Sequence, residues 1–330
     1  MEYRHLGQSD LAVPVVSFGA WAIGGWMWGG SDDEAAVRAI QRGIDLGITC
    51  IDTAAAYGMG HSERIVGQAL AGHRDQVVLA TKCGLRWDRE EGAHFFDTTD
   101  LEGRPCSIFR NLRPDSIRYE CEQSLQRLGV DTIDLYQCHW PDPTTPLNDT
   151  METLLALQQE GKIRAIGVSN FTPEMMQQCQ DRIRLASDQP KYNALEREAE
   201  RDVLPFCREH GVGVLAYSPI AQGLLTGKVT EDREFPEGDV RRGKAMFRQE
   251  NRRRVLAMLE KVRPIADTHG VTFAQVFIAW TLAQPGITTA LVGARNERQV
   301  EENAKAGDLA LTPEEVRTIR GLAETLGVLD

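Results

Sequence analysis

The stretch Cys50-Ile-Asp-Thr-Ala-Ala-Ala-Tyr-Gly-Met-Gly60 decides how the rest of the chain is read. Its first residues close an apolar run, Ile48–Ile51, and its glycines punctuate a loop before a helical pattern opens at Ser62. Asp52 therefore stands where a buried strand stops, and Tyr57 stands in the loop beyond it. Two later strand ends carry the same surprise. Lys82 closes Val77-Val-Leu-Ala-Thr-Lys82, and His139 closes Ile133-Asp-Leu-Tyr-Gln-Cys-His139. If these strands are parallel neighbours, a carboxylate, a phenol, an ammonium and an imidazole converge at one mouth.

The flanking sequence supplies those neighbours. Upstream, Tyr3–Pro14 reads as a hairpin turning near Gly7–Asp10, followed by a strand over Val15–Phe18. A loop rich in glycine and tryptophan, Gly19–Gly30, leads to a helix marked by Ala36, Val37, Ile40, Ile44 and Leu46. Downstream, strands are expected at Val77–Thr81, Thr132–Cys138, Ile163–Val168, Leu185–Gln189, Val212–Ala216 and Thr289–Val292. Helical patterns separate them, at Ser62–Ala71, Pro114–Leu128, Leu147–Glu160, Thr172–Gln180, Ala199–His210, Asn251–His269 and Thr272–Ala283. Two more, Glu297–Lys305 and Pro313–Leu326, finish the chain. Short apolar runs separated by helices indicate a parallel sheet covered on both faces. Eight such units, counted from Val15, predict an α/β fold of the (β/α)8 TIM-barrel kind, with an N-terminal β-hairpin and extra C-terminal helices. No linker-like stretch interrupts the series, so residues 1–330 read as a single domain. Active groups in such barrels lie at the C-terminal strand ends, which is where the four groups above fall. The long connections Cys83–Arg113 and Ser218–Glu250 lie on the same side and are expected to wall in a substrate.

Composition sets the outer bounds. A hydrophobic content of 42% with 26% charged residues is that of an ordinary globular protein, and 330 residues suffice for a large core. The net charge of −11 argues against general binding to nucleic acid or anionic membranes, while leaving room for a local basic pocket. Neither a secretory h-region nor a run long enough to span a bilayer is present, which points to a cytoplasmic protein without a membrane partner. Seven cysteines without a C-x-x-C pair suit free thiols, and the histidines lack metal-ligand spacing, so no metal is expected.

Taken singly, each of the four polar groups has a plainer reading. Asp52 can cap its loop, Tyr57 can pack on the rim, and His139 can be a satisfied core histidine. Lys82 resists this, because a lysine closing an apolar strand needs a partner or a path to water. Together they suit reduction of a carbonyl. A phenol is a weak acid near neutrality, a nearby ammonium lowers its pKa, a carboxylate fixes the ammonium, and an imidazole orients the oxygen. The hydride then comes from a cofactor. Trp26, Trp28 and Trp140 belong to mouth loops and suggest an aromatic-walled substrate cleft. Two other readings stay open: a Schiff-base lyase acting through Lys82, and a module that binds and senses a nucleotide with negligible turnover.

The sequence resembles the aldo-keto reductase superfamily from the hairpin to about Asn303. Asp52-Thr-Ala-Ala-Ala-Tyr57-Gly, Ala80-Thr-Lys82-Cys-Gly and Tyr136-Gln-Cys-His139-Trp-Pro-Asp resemble its catalytic tetrad, and Gly161–Phe171 resembles a further signature. Asp188–Asn193 and Tyr217–Lys228 look most like the bacterial general-stress and potassium-channel-β-like branch. The resemblance implies that Tyr57 is the general acid, that Lys82 and Asp52 lower its pKa, and that His139 positions the carbonyl. It also implies a small-molecule carbonyl substrate and NADP(H) as cofactor.

No Rossmann fingerprint accounts for a nucleotide here, because Glu63 stands in the third glycine's place after Gly58-Met-Gly60. The barrel alternative is the loop after strand eight. There Gly293 permits close backbone approach, Arg295 offers a charged fork, and a helix begins near Asn296. In the family this region grips the adenosine 2′-phosphate, with Arg295, Gln299, Glu302 and Asn303 at matching positions. Gln299 stands where many relatives carry arginine, which weakens the preference for NADP(H) and leaves NAD(H) open. By the same resemblance Ser169, Asn170 and Gln189 bind the nicotinamide carboxamide, Tyr217 stacks on its ring, and Trp21 lies beside it. Ser218, Gly223, Leu224, Thr226 and Lys228 then line the pyrophosphate path. The oligomeric state stays open.

Overall fold

The protein is described by a computed structural model covering residues 1–327 and 329. Its elements follow one another as β1 (Tyr3–His5), β2 (Ala12–Pro14), β3 (Val16–Gly19), α1 (Asp33–Asp45), β4 (Cys50–Asp52), α2 (His61–Ala69) and β5 (Val78–Cys83). Then come β6 (Leu85–Arg86), β7 (Ala93–Thr99), β8 (Pro105–Arg110), α3 (Pro114–Leu128), β9 (Ile133–Cys138), α4 (Leu147–Gln159), β10 (Ile163–Ser169) and α5 (Pro173–Gln180). The chain ends with β11 (Leu185–Gln189), α6 (Val203–His210), β12 (Gly213–Tyr217), α7 (Gln249–His269), α8 (Phe273–Leu282), β13 (Thr289–Val292), α9 (Glu297–Lys305) and α10 (Pro313–Glu324).

Eight parallel strands close into a barrel in the order β3-β4-β5-β9-β10-β11-β12-β13, with β13 returning to β3. The expected (β/α)8 architecture is therefore present. The apolar runs work as strands because both faces are used. One side meets the helices in a layer that includes Phe18, Ile51, Leu79, Tyr136 and Val168. The other fills the barrel's lower interior with Cys50, Ala80, Leu135, Ala165, Leu215 and Leu291.

Leu6, Leu11 and Val13 of the β1–β2 hairpin join that inner cluster and plug the N-terminal end of the barrel. Gly7 makes the plug possible. It takes φ +57°, and a Cβ there would stand 2.6 Å from the carbonyl oxygens of both Ala186 and Gly211. With its bottom sealed, the barrel opens only at the C-terminal strand ends.

Local signals set the helices. Asp32 caps α1 by accepting from Ala35 N, and Thr272–Gln275 and Thr312–Glu315 form capping boxes at α8 and α10. The main departure from expectation is Cys83–Arg113. This segment is a three-stranded antiparallel sheet, β6-β8-β7, where sequence reading gives only a long loop. The alternation in Pro105-Cys-Ser-Ile-Phe-Arg110 carries a strand signal, but the paired aromatics Phe95-Phe96 break the period-two pattern in its partner.

Candidate active site

Asp52 ends β4, Lys82 lies one residue from the end of β5, His139 follows β9, and Tyr57 sits in the turn after β4. The barrel brings all four together. The Lys82 ammonium has no solvent exposure and donates to Asp52 Oδ1 at 2.5 Å, to the Thr53 carbonyl at 2.9 Å and to the Tyr57 hydroxyl at 3.4 Å. Asp52 Oδ2 accepts from Gln137 Nε2 at 3.0 Å and Gln189 Nε2 at 2.9 Å. A buried ion pair survives only when its remaining lone pairs and protons are met, and here they are. All three hydrogens of the ammonium are engaged and the side chain has no exposure to the cavity, which argues against Schiff-base chemistry at Lys82. The Tyr57 and His139 rings meet edge to face, with centroids 5.6 Å apart.

The electrostatics differ from expectation in one respect. Burial first, and then the Asp52 charge, push the Tyr57 phenol well above its ordinary value instead of below it. The physical reason is that burial penalises the phenolate, and the Asp52 carboxylate, paired with the ammonium at 2.5 Å, adds its own charge to that penalty. Burial also lowers the Lys82 pKa, with Asp52 acting in the opposite direction. His139 is held well below the usual imidazole range, by burial and then by Lys82, so its ring is neutral near pH 7.

These groups floor a cavity of about 820 Å³, which Asp52, Tyr57 and His139 reach directly. Every other residue expected at the site lines it too, except Lys82, which lies buried beneath Asp52 and Tyr57, and Leu224, which is buried in the core. Leu224 is spent on packing because it lies in a short helical turn, Ala221–Thr226, whose apolar side faces inward.

Ser169, Asn170, Gln189 and Tyr217 form one network beside the tetrad. Ser169 Oγ donates to the Gln189 carbonyl at 2.7 Å, and Tyr217 Oη to Asn170 Oδ1 at 3.0 Å. Asn170, at φ +62°, donates through Nδ2 to the His139 carbonyl at 3.2 Å and to Ser169 Oγ at 3.0 Å. Gln189 turns its amide N–H toward Asp52, so it is the strut of the carboxylate as well as part of the wall.

The loops after β12 and β13 supply the rest. Ser218 and Gly223 take φ +58° and +94°, and Thr226 Oγ1 donates to the Gly223 carbonyl at 2.7 Å. Lys228 pairs with Glu302 at 2.9 Å. Gln299 Oε1 accepts from Arg295 N at 2.8 Å, while the Arg295 guanidinium donates to the carbonyls of Trp28 and Gly30. Asn303 Nδ2 donates to the Gly293 carbonyl at 3.2 Å. Arg233, Arg241, Lys244 and Gln222 also line this region, and Lys244 donates to Gln222 Oε1 at 2.9 Å. Sequence reading misses them, since a scatter of basic residues in a long loop looks like solvated surface.

The donor set fits a nicotinamide dinucleotide. Amide and hydroxyl groups adjoin the tetrad, a phenol borders them, and Lys228, Arg233, Arg241, Lys244 and Arg295 line the same cavity against the carboxylates of Asp52 and Glu302. The tryptophans take the remaining wall. Trp21 stacks on Tyr57 with centroids 6.2 Å apart, and Trp28 meets Trp21 edge-on at 5.3 Å. Trp26 and Trp140 face Phe96 and Phe95 of the inserted sheet, two wall residues the sequence reading does not name.

The model of the aldo/keto reductase family matches residues 15–324. An NADH-specific methylglyoxal reductase of Escherichia coli is 39% identical over 327 residues, covering 97% of this chain and 98% of its own. The structure of a glycerol dehydrogenase of Gluconobacter oxydans is 41% identical, with a TM-score of 0.87, over 98% of this chain and 95% of the other. An aldo/keto reductase of Klebsiella pneumoniae, solved in complex with NADP and acetate, is 30% identical with a TM-score of 0.72, over 98% and 95%.

Proposed function

Because the chain belongs to the aldo/keto reductase family, we propose that it reduces aldehydes or ketones to alcohols with Tyr57 as proton donor and NADPH as the favoured cofactor. The observation that carries this reading is the Lys82 ammonium held between Asp52 Oδ1 and the Tyr57 hydroxyl at the floor of the cleft. When bound, the reduced nicotinamide supplies the hydride that the carbonyl carbon takes. The protein does the rest. Neutral His139 donates to the carbonyl oxygen or accepts from a hydroxyl, and so orients it beside Tyr57. Tyr57, kept protonated by burial and by Asp52, gives its proton as negative charge builds on that oxygen. The phenolate left behind is met by the Lys82 N–H already pointed at it, and a proton from solvent restores it.

Ser169, Asn170, Gln189 and Tyr217 would hold the nicotinamide end. Lys228, Arg295 and Lys244 would meet the phosphates, with Gln299, Glu302 and Asn303 around the adenosine. Relatives include an NADH-specific reductase and an enzyme solved with NADP, and the cations lining the cavity favour the form with the additional phosphate.

The test is Tyr57→Phe assayed with NADPH and an activated aromatic aldehyde. Turnover is expected to fall by about 10²–10⁴, the usual worth of a positioned acid, with NADPH affinity nearly unchanged. Full activity in the variant would refute the assignment.

A further inference from the structure

The sheet inserted between β5 and α3 walls one part of the cavity, and a single irregularity in it turns two aromatic rings into that wall. Along the β7–β8 ladder His94 pairs with Phe109 and Phe96 with Ile108, which leaves Phe95 as an extra residue. Consecutive residues of a regular strand face opposite ways, whereas a bulge re-aims one of them. Accordingly Phe95 and Phe96 both line the cavity. Phe96 stacks on Trp26 with centroids 6.2 Å apart, and Phe95 lies 5.3 Å from Trp140, the residue after His139. The Trp26 indole N–H donates to the Thr99 carbonyl at 3.0 Å and ties the flap to the loop after β3. These rings cluster with Ala56, Leu85 and Ile108, and the Arg110 guanidinium lies over Phe95 at 5.1 Å from the ring centroid.

We propose that this flap, through Phe95 and Phe96, is the specificity-determining element of the site, and that it selects carbonyl compounds carrying an aryl group over small hydroxylated aldehydes. The inference rests on the reductase reading above. A substrate whose oxygen lies between Tyr57 and His139 has its remaining atoms against these rings. An aryl group there removes apolar surface from water and finds aromatic faces and edges. A small hydroxylated aldehyde there covers little of that apolar surface and gives up water around its hydroxyls.

The experiment compares the wild-type protein with Phe95→Ala, Phe96→Ala, Phe95→Leu and Phe96→Leu. Two measurements are made: kcat/KM for benzaldehyde and for glyceraldehyde with NADPH, and binding of benzyl alcohol followed by tryptophan fluorescence. The benzaldehyde-to-glyceraldehyde ratio is expected to fall by about 10- to 100-fold in the alanine variants, the range that apolar pocket contacts supply. The leucine variants keep the flap filled and are expected to give intermediate ratios, with benzyl alcohol affinity falling in parallel. Losses that are equal for both aldehydes, or ratios unchanged in all four variants, overturn the flap assignment and leave the reductase reading intact. If the wild-type protein oxidises NADPH with neither aldehyde, the reductase reading fails. The benzyl alcohol titration then decides the flap by itself: weaker binding in the alanine variants supports it, and equal binding overturns it.

Discussion

Lys82 shows how one residue can be legible in type and illegible in effect. Its position at the end of an apolar strand announces that it has a partner. That the partner is Asp52 at 2.5 Å, whose charge adds to burial in raising Tyr57, appears only once β4 and β5 lie side by side. Asp188 is the converse, a buried carboxyl the reaction does not use. Burial pushes it up to about 8, against the amides of Phe171 and Gln189, which act to lower it. Since the unfolded carboxyl titrates near 4, the folded state binds more protons between those values, and stability falls as pH rises through that window. Asp188→Asn removes the cost. In urea unfolding the variant is expected to gain on the parent by a few kcal/mol at pH 9, and by much less at pH 4.5. A difference that does not widen with pH would sink this account.

At the scale of elements, the β1–β2 hairpin and the flap do opposite jobs at opposite ends of the barrel. The hairpin seals the bottom with Leu6, Leu11 and Val13, all buried and far along the strands from the tetrad. Leu11→Ala is therefore expected to destabilise the protein by about 2–5 kcal/mol, the range for an emptied leucine site, while leaving the KM for NADPH near the parent's. Chemical denaturation and steady-state kinetics on the same sample test both halves, and a large change in KM would show that the plug is coupled to the mouth. The hairpin is readable from sequence because its turn residues and apolar positions agree. The flap is not, because Phe95 interrupts the alternation that would have marked β7, and a bulge has no sequence signature apart from the pairing that creates it.

For the molecule as a whole, a chain of net charge −11 nevertheless lines its cleft of about 820 Å³ with Lys228, Arg233, Arg241, Lys244 and Arg295. Phosphate binding against that background depends on salt. The dissociation constant of NADPH is expected to rise roughly tenfold between 0.05 and 0.5 M salt, more steeply than that of NADH, and Arg295→Ala should remove most of the difference. Calorimetric titration of both nucleotides measures this, and equal slopes in the parent would show that the extra phosphate meets no cation. The alternation of apolar strands and helices called for a parallel sheet covered on both faces, and the count of eight units favoured a barrel over an open doubly wound sheet. Either way, Asp52, Tyr57, Lys82 and His139 fall at C-terminal strand ends. Period and residue type are local, so they survive in a linear reading. Three things belonged to the tertiary structure alone: the sign of the Tyr57 shift, the loss of Leu224 to the core, and the placement of Phe95 and Phe96 in the wall of the cavity that the tetrad floors. Each depends on a distance between groups remote in sequence, and only the closed barrel sets those distances.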